Sequence, residues 1–455
     1  MKEDLQPLRD FFDTGTTRNY LFRKEQLRRL RDAIVSHEKE LLAALDADLG
    51  KNPEESWVTE IGFVLAEIRH ALKHLKKWMA PQRVPTNLMN FPSRSFIYQE
   101  PLGVVLVIGA WNYPVHLLLT PVIGAIAAGN SVVIKPSEFA PATAAVIKKL
   151  LSENFSRGYI LFVEGEGAKV VPAMMDAFRF DHIFYTGSTH VGREIYQAAA
   201  RQLIPVTLEL GGKSPCVVEE DANIRVAARR IAVAKFSNAG QMCVAPDYVL
   251  VHESVKEQLV TALKQVILGF FSGDAARSYD YGKIINARQF YRLQMYLEHG
   301  RIVFGGRHDA ATLHIEPTLL EDVPLHAAVM GEEIFGPVLP IITFRTFEEA
   351  ASIVNRNPNP LALYVFTESS AREARWIRDV PFGGGCINNT SWHLTNFNLP
   401  FGGRGNSGFG VYHGKFSFEV FSHRKAIMKT PTWFDPNVKY PPFKGKLSLI
   451  RKLVR

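Results

Sequence analysis

The chain has 455 residues, beyond the roughly 250–300 at which one hydrophobic core stops growing, so at least two domains are expected. Its 47% hydrophobic and 22% charged residues exclude a disordered or low-complexity protein. The net charge of +8 is concentrated in residues 23–31 and 439–455, which argues against a broad nucleic-acid-binding face.

Apolar runs at 104–110 and 117–128 fall short of the ~20 residues that cross a bilayer, so no membrane span is expected. The start, Met1-Lys2-Glu3-Asp4, is charged and lacks the apolar run of a secretory signal, and a cytoplasmic location is expected. Cys216, Cys243 and Cys386 are odd in number and without CxxC spacing. They read as reduced thiols rather than a disulfide frame or a zinc site, and no metal is expected.

In chain order, residues 1–80 read as helices, with Leu27, Leu30 and Ile34 on an apolar face and the basic run 23–31 (RKEQLRRLR) on a solvated one. The proline-containing segment 81–100, with alternation at 95–99, suits an extended arm. Short β-branched runs at 104–108, 131–134, 160–163, 182–185 and 206–210 then alternate with helical stretches. That pattern predicts a parallel, doubly wound sheet with ligands at the carboxyl ends of its strands.

A second α/β pattern follows, with helices at 224–238 and 255–271 and strands at 248–251, 338–344 and 362–366. The expected fold class is α/β: two Rossmann-like lobes with parallel doubly wound sheets plus a small β oligomerisation arm. The expected domains are 1–80 and 101–207 for dinucleotide binding, 208–398 for catalysis, 81–100 and 399–430 for the arm, and 431–455 for a basic tail. In that tail Leu447, Ile450 and Leu453 share one side, a pattern common to docked C-termini and to helices lying on a membrane surface.

Three places carry chemistry. Residues 185–192 (YTGSTHVG) follow a predicted strand and open the helix 193–200, the context in which backbone amides and a helix dipole hold phosphate. Thr189 stands where the GxGxxG pattern has its second glycine, and the segment reads equally as a strand-to-helix turn with a Ser or Thr cap. Cys243 lies in NAGQMCVAP (238–246), where a cysteine is either a small buried hydrophobe or a nucleophile. Glu209 interrupts the apolar run of LELGGK (208–213), and it is either paired with Lys213 or a general base with a raised pKa.

Seven segments, GAWNYP (109–114), KPSE (135–138), YTGSTHVG, LELGGKSP (208–215), NAGQMCVAP, EEIFGP (332–337) and PFGGRGNSG (400–408), resemble the aldehyde dehydrogenase superfamily in its own order from about 100 to 425. CVAPDYVL (243–250), YHGKFSFEVFSH (412–423) and the short N-terminus resemble its class 3, fatty-aldehyde-type branch.

The resemblance implies an NAD(P)-dependent oxidoreductase turning an aldehyde into the carboxylic acid, hydrolytic rather than CoA-acylating. Cys243 would add to the carbonyl to give a thiohemiacetal and then a thioester. Asn112 and the Cys243 N–H would form the oxyanion hole, and Glu209 would activate the hydrolysing water. For the cofactor, it implies Lys135 and Glu138 at the adenosine ribose, Gly187, Ser188 and Gly192 at the pyrophosphate turn, and Glu333 and Phe335 at the nicotinamide riboside. Trp111 would lie near the cofactor or in the core. NAD is expected, because Glu138 repels a 2′-phosphate, with NADP left open. Tyr113, Phe236 and Met242, with Trp392 and Phe397, line either the core or a tunnel for an apolar aliphatic or aromatic aldehyde. A homodimer is implied, and Cys216 and Cys386 take no catalytic part.

Overall fold

The computed structural model describes residues 2–454. The amino-terminal helices Lys2–Asp13, Tyr20–Ser36, Glu38–Leu49, Pro53–Ser56 and Gly62–Met79 bear out the helical reading of 1–80, with a π turn at Trp57–Ile61. Tyr20–Ser36 starts where the Asn19 side chain accepts from the Leu21 and Phe22 amides, and it buries Leu27, Leu30 and Ile34. Two residues of the supposed solvated face, Arg23 and Gln26, turn inward. Arg23 is 3% exposed, donating through Nε to the Thr17 carbonyl at 2.7 Å and through a terminal nitrogen to that of Ala127 at 3.1 Å. Burial lowers its pKa to about 10. It satisfies backbone oxygens where the first helices close, a use that charge patterning cannot reveal.

The arm strands β1 (Gln82–Val84) and β2 (Arg94–Pro101) come next. The first lobe holds β3 (Val104–Ile108), β4 (Ser131–Lys135), β5 (Ile160–Phe162), β6 (His182–Gly187) and β7 (Val206–Leu210), ordered β7-β6-β3-β4-β5 and all parallel. Helices His116–Ala128, Pro141–Asn154, Gly167–Ala177 and Thr189–Ala200 make the crossovers. His116–Ala128 is buried at every position, because the amino-terminal helices cover the side turned away from the sheet.

The second lobe contains β8 (Pro215–Val218), β9 (Tyr248–His252), β10 (Arg301–Phe304), a small hairpin of β11 (His308–Asp309) and β12 (His314–Ile315), then β13 (Thr318–Glu321), β14 (Val338–Phe344), β15 (Ala362–Phe366) and β16 (Gly384–Ile387). Its seven-stranded sheet runs β10-β13-β14-β9-β8-β15-β16, parallel except for β10. The helical stretch Glu253–Arg277 is long and apolar enough, by length and composition, to cross a membrane. In the fold its helix Lys256–Phe270 buries Leu259, Val260, Leu263 and Ile267 and packs against Ile224–Phe236.

The expected arm segment 399–430 divides in two. β17 (Gly408–Phe409) adds an antiparallel edge to β7, and the helix Lys415–Val420 packs on His116–Ala128, so this half belongs to the first lobe. Only β18 (Ser422–Lys429) joins the arm, pairing with β2 from Pro101↔Ser422 to Arg94↔Lys429. The tail ends in a helix, Leu447–Val454, beside the turn Leu88–Asn90, with Leu447 exposed. The side chain of Leu453 lies outside the described residues.

Candidate active site

The helix Ile224–Phe236 ends two residues before the expected 238, and the chain then takes a costly path to Cys243. Asn238 (φ 50°), Ala239 (φ 50°) and Gly240 (φ 75°) are left-handed in succession, at a cost on the order of 1 kcal/mol for each residue with a side chain. Hydrogen bonds fix the path. The Asn238 N–H donates to Glu55 Oε1 at 2.7 Å, and its Nδ2 donates to the carbonyls of Asn112 at 2.8 Å and Gln241 at 3.1 Å. Gln241 Nε2 donates to the carbonyls of Asn238 and Lys283, both at 3.0 Å, and Gln241 Oε1 accepts from the Ile285 N–H. A Cβ on Gly240 would run into the Gly336 carbonyl, so only glycine fits there. The outcome is a half-buried cysteine.

Asn112 reaches this loop from the other lobe, just past the carboxyl end of β3. Its carbonyl accepts from Lys51 Nζ at 3.1 Å as well as from Asn238, and its Nδ2 spends one hydrogen on the Gln241 carbonyl at 3.0 Å, leaving the second for another acceptor. Lys51 is itself bound to Glu60 at 2.7 Å, both side chains being fully buried, and Glu60 Oε2 accepts from the amides of Val115 and His116. This buried pair therefore sets the turn that aims Asn112. Lys51, Glu60, Asn238 and Gln241 were not singled out from sequence. The last two lie inside the quoted cysteine motif and could have been, whereas nothing local signals the first two.

Glu209 sits on β7, 4% exposed, and neither carboxylate oxygen has a partner. Lys213 is not its counter-ion: it binds Asp247 at 2.5 Å and the Val329 carbonyl at 2.6 Å. Burial pushes the Glu209 pKa well up. Glu333 is lifted to about 8 by burial, then by Asp247, against the Gly212 N–H, Lys213 and Arg292. Its carboxylate lies where a Cβ on Gly211 would be, so the Gly211-Gly212 pair forms the slot that holds it. Burial also pushes the Cys243 thiol up, helped by Glu333 and Glu209 and opposed by the amides of Cys243 and Val244. Trp111 meets Phe335 edge to face at 5.2 Å, half-exposed rather than in the core.

Along the same sheet edge, Lys135 Nζ lies 3.2 Å from Glu138, whose other oxygen accepts from the Gly167 N–H at 2.9 Å. Burial alone would raise the Glu138 pKa, but the Gly167 N–H, its own N–H and Lys135 together hold it below the ordinary value. Ser188 caps Thr189–Ala200, accepting from the Val191 N–H at 3.4 Å, so that helix opens at Thr189 rather than at 193. Gly187 closes β6. Gly192 faces Leu210, 2.6 Å from where its Cβ would be, and brings helix and strand together rather than making room for a ligand. These donors and carboxylates, strung along strand ends, fit a dinucleotide lying from Glu138 to Glu333.

Of the substrate candidates, Tyr113 lies beneath the Lys51 ammonium, 3.8 Å from its ring centre, within reach of the Cys243 charge. Met242 is half-buried beside the cysteine. Phe236 is a correction: it is 0% exposed inside the core, because the last helical turn points inward before the chain breaks toward Cys243. Trp392 is exposed, and Phe397 packs on Phe63 and His70. Cys216 is buried on β8, and Cys386 lies 3.6 Å from His393 Nδ1.

Two measurements test this geometry. Lys51→Met should destabilise the protein by about 3–5 kcal/mol in urea unfolding by stranding Glu60, and Lys51→Met with Glu60→Leu should recover part of the loss. Alkylation of Cys243 by iodoacetamide without cofactor should stay slow at pH 8 and climb beyond pH 9. Because a neighbouring negative charge disfavours the thiolate, Glu333→Gln should speed the reaction at pH 9, and an unchanged rate would refute the coupling.

Comparison with known proteins agrees with this geometry. The aldehyde dehydrogenase family profile matches residues 15–427. The chain is 49% identical to 4,4'-diaponeurosporen-aldehyde dehydrogenase of Staphylococcus aureus, over 97% of this chain and 96% of that protein. It is 44% identical to the dimeric, NADP-preferring aldehyde dehydrogenase of Canis lupus familiaris, over 98% and 99%. Its fold superposes on the substrate-bound AldH of Staphylococcus aureus with a TM-score of 0.97 at 47% identity, covering 100% of this chain and 99% of that one. The chain belongs to the aldehyde dehydrogenase family, and it is an NAD(P)-dependent oxidoreductase that oxidises aldehydes.

Proposed function

We propose that Cys243 is the nucleophile, that the Asn112 amide and the Cys243 N–H hold the oxyanion, and that Glu209 activates the water that releases a carboxylic acid. The observation that carries this reading is a fully desolvated, unpartnered Glu209 within reach of the Cys243 charge. An isolated buried carboxylate has no structural benefit, and its raised pKa suits it to taking a proton. Cys243 adds to the aldehyde carbonyl as its proton passes by way of Glu209 to solvent water, and the free Asn112 hydrogen meets the oxygen as charge develops there. The bound nicotinamide supplies the acceptor for the hydride. Glu209 then deprotonates water at the resulting thioester, and the sulfur is released.

NAD is the preferred cofactor in this reading, since Glu138 is held ionised where a 2′-phosphate would lie. The substrate is an apolar aldehyde, supported by Tyr113 and Met242 beside the cysteine and by the staphylococcal relative named for 4,4'-diaponeurosporen-aldehyde. A homodimer through the arm is supported by the mostly exposed β18 and by the dimeric canine relative. Three cysteines free of disulfides suit the reducing cytoplasm. The tail's exposed Trp433, Phe443 and Leu447 suit either cover by a second subunit or peripheral contact with a lipid surface.

Cys243→Ser should reduce oxidation to background. Glu209→Gln should give one NADH per site and then stall, its steady rate down ~10²–10⁴-fold by stopped-flow absorbance, and full turnover would refute the base. Glu138→Gln should shift the kcat/KM ratio toward NADP by about tenfold, or ~1.4 kcal/mol. A ratio that does not move would remove the carboxylate as the discriminator.

A further inference from the structure

Each hydrolytic turnover leaves a proton on Glu209, and that proton must reach solvent from a side chain without a single hydrogen-bond partner. The segment 408–414 runs from this carboxylate to a second buried one. Gly408 pairs with Glu209 across the β17–β7 ladder, Tyr412 follows, fully buried, and the Gly414 N–H donates to Glu67 Oε1 at 2.6 Å. The other Glu67 oxygen has no partner, nor has His116 Nε2 or His413 Nδ1. The two imidazoles lie 5.8 Å apart, and the His413 ring stacks on Tyr412 at 4.1 Å. Phe63, one helical turn before Glu67, touches both at 4.0 and 5.3 Å. Left dry, each such atom costs about 1–3 kcal/mol, so the group is a place for ordered water.

We propose that the proton leaves Glu209 through the Tyr412 hydroxyl and water held among Glu67, His413 and His116. This rests on Glu209 being the base. Water forms the C–O bond to the thioester carbonyl and gives its proton to Glu209. The C–S bond breaks, and the sulfur keeps the electron pair. Tyr412 passes the proton on by donating one while accepting another, and it never becomes a phenolate, because burial and the charges of Glu209, Cys243 and Glu67 hold its pKa far up.

Burial lifts the Glu67 pKa to about 7, against the Gly414 N–H, so this carboxyl both takes and releases protons near neutrality. Burial likewise keeps His116 neutral, at about 3, and His413 neutral as well. Several charged groups on the other elements packed against the helix of Glu67 are already engaged. Glu60 holds Lys51, Arg23 holds the Thr17 and Ala127 carbonyls, Glu100 holds Lys425, and Glu419 holds Lys415 and Arg424. Glu67 thus acts through Glu209, as a positioning residue for its proton.

The test is stopped-flow NADH formation by the full chain with NAD and an aliphatic aldehyde, alongside cofactor-free hydrolysis of p-nitrophenyl acetate. Glu67→Gln should leave the first NADH burst and the aldehyde KM within about twofold. It should slow the steady phase and acetyl-enzyme breakdown at least fivefold and remove the ionisation near pH 7 from their pH profiles, and Glu67→Asp should restore most of the rate. If Glu67→Gln does not fold by circular dichroism, Tyr412→Phe carries the same expectation for the slow phase. Unchanged breakdown with an unchanged profile overturns the route. A burst and KM that fall together also overturn it, making Glu67 part of the framework or of the aldehyde pocket. Glu209→Gln, run in parallel, separates the failures: if it stalls while Glu67→Gln does not, only the route fails, and if it turns over freely, the base fails too.

Discussion

The site depends on one carbonyl. The oxygen of Asn112 accepts from Lys51, which is anchored in the amino-terminal helices, and from Asn238, which belongs to the cysteine loop of the second lobe. Two lobes with separate sheets are tied together at the residue whose amide also donates to Gln241 in the cysteine loop. The tie is buried, and its lysine is matched by Glu60, which in turn caps the turn leading into His116–Ala128. Catalytic hydrogen bonds demand placement to a fraction of an ångström, and this network provides it without using a group that must react.

The electrostatics follow the same economy. Three buried lysines near the cleft are committed elsewhere: Lys51 to Glu60, Lys213 to Asp247, and Lys135 to Glu138. Glu209 faces burial with no cation to offset it, and Glu333 faces burial that Lys213 and Arg292 only partly offset, so both move toward the neutral acid. Lys235 lies behind them, fully buried and without a hydrogen-bond partner, its pKa lowered by burial to about 8.

The first lobe was legible because parallel strands covered on both faces must be continuous β-branched runs, and β3 and β7 fall where such runs occur. β8 and β16 were missed. One is a four-residue strand starting at Pro215, and the other is half glycine, so neither has the composition of a strand; β8 forms because neighbours on either side supply the ladder, and β16 adds as an edge to β15. Glu209, Cys243 and Asn112 could be named from motif order, but their partners could not. Glu209 and Lys213 are four residues apart, roughly 13 Å along an extended chain, so the pairing that their closeness in sequence left open does not form. Lys51 and Asn112 touch across 61 positions, a contact only the fold creates. Phe236 shows the reverse error, since adjacency to a reactive loop says nothing about which way a side chain turns.

The left-handed run at Asn238, Ala239 and Gly240 has a consequence for the life of the protein before it works. Besides the bonds between Asn238 and Gln241, those that hold the run open reach beyond it: to Glu55 and Asn112, made early by the ribosome, and to Lys283 and Ile285, made after the cysteine itself. A nascent chain that has just emerged past position 243 lacks the later half of these contacts and relaxes into ordinary backbone. Its sulfur is then an ordinary thiol without the Asn112 amide bound to its loop. Reactivity arrives only with completion, so a half-made enzyme meeting an aldehyde in the cell has no trap with which to capture it.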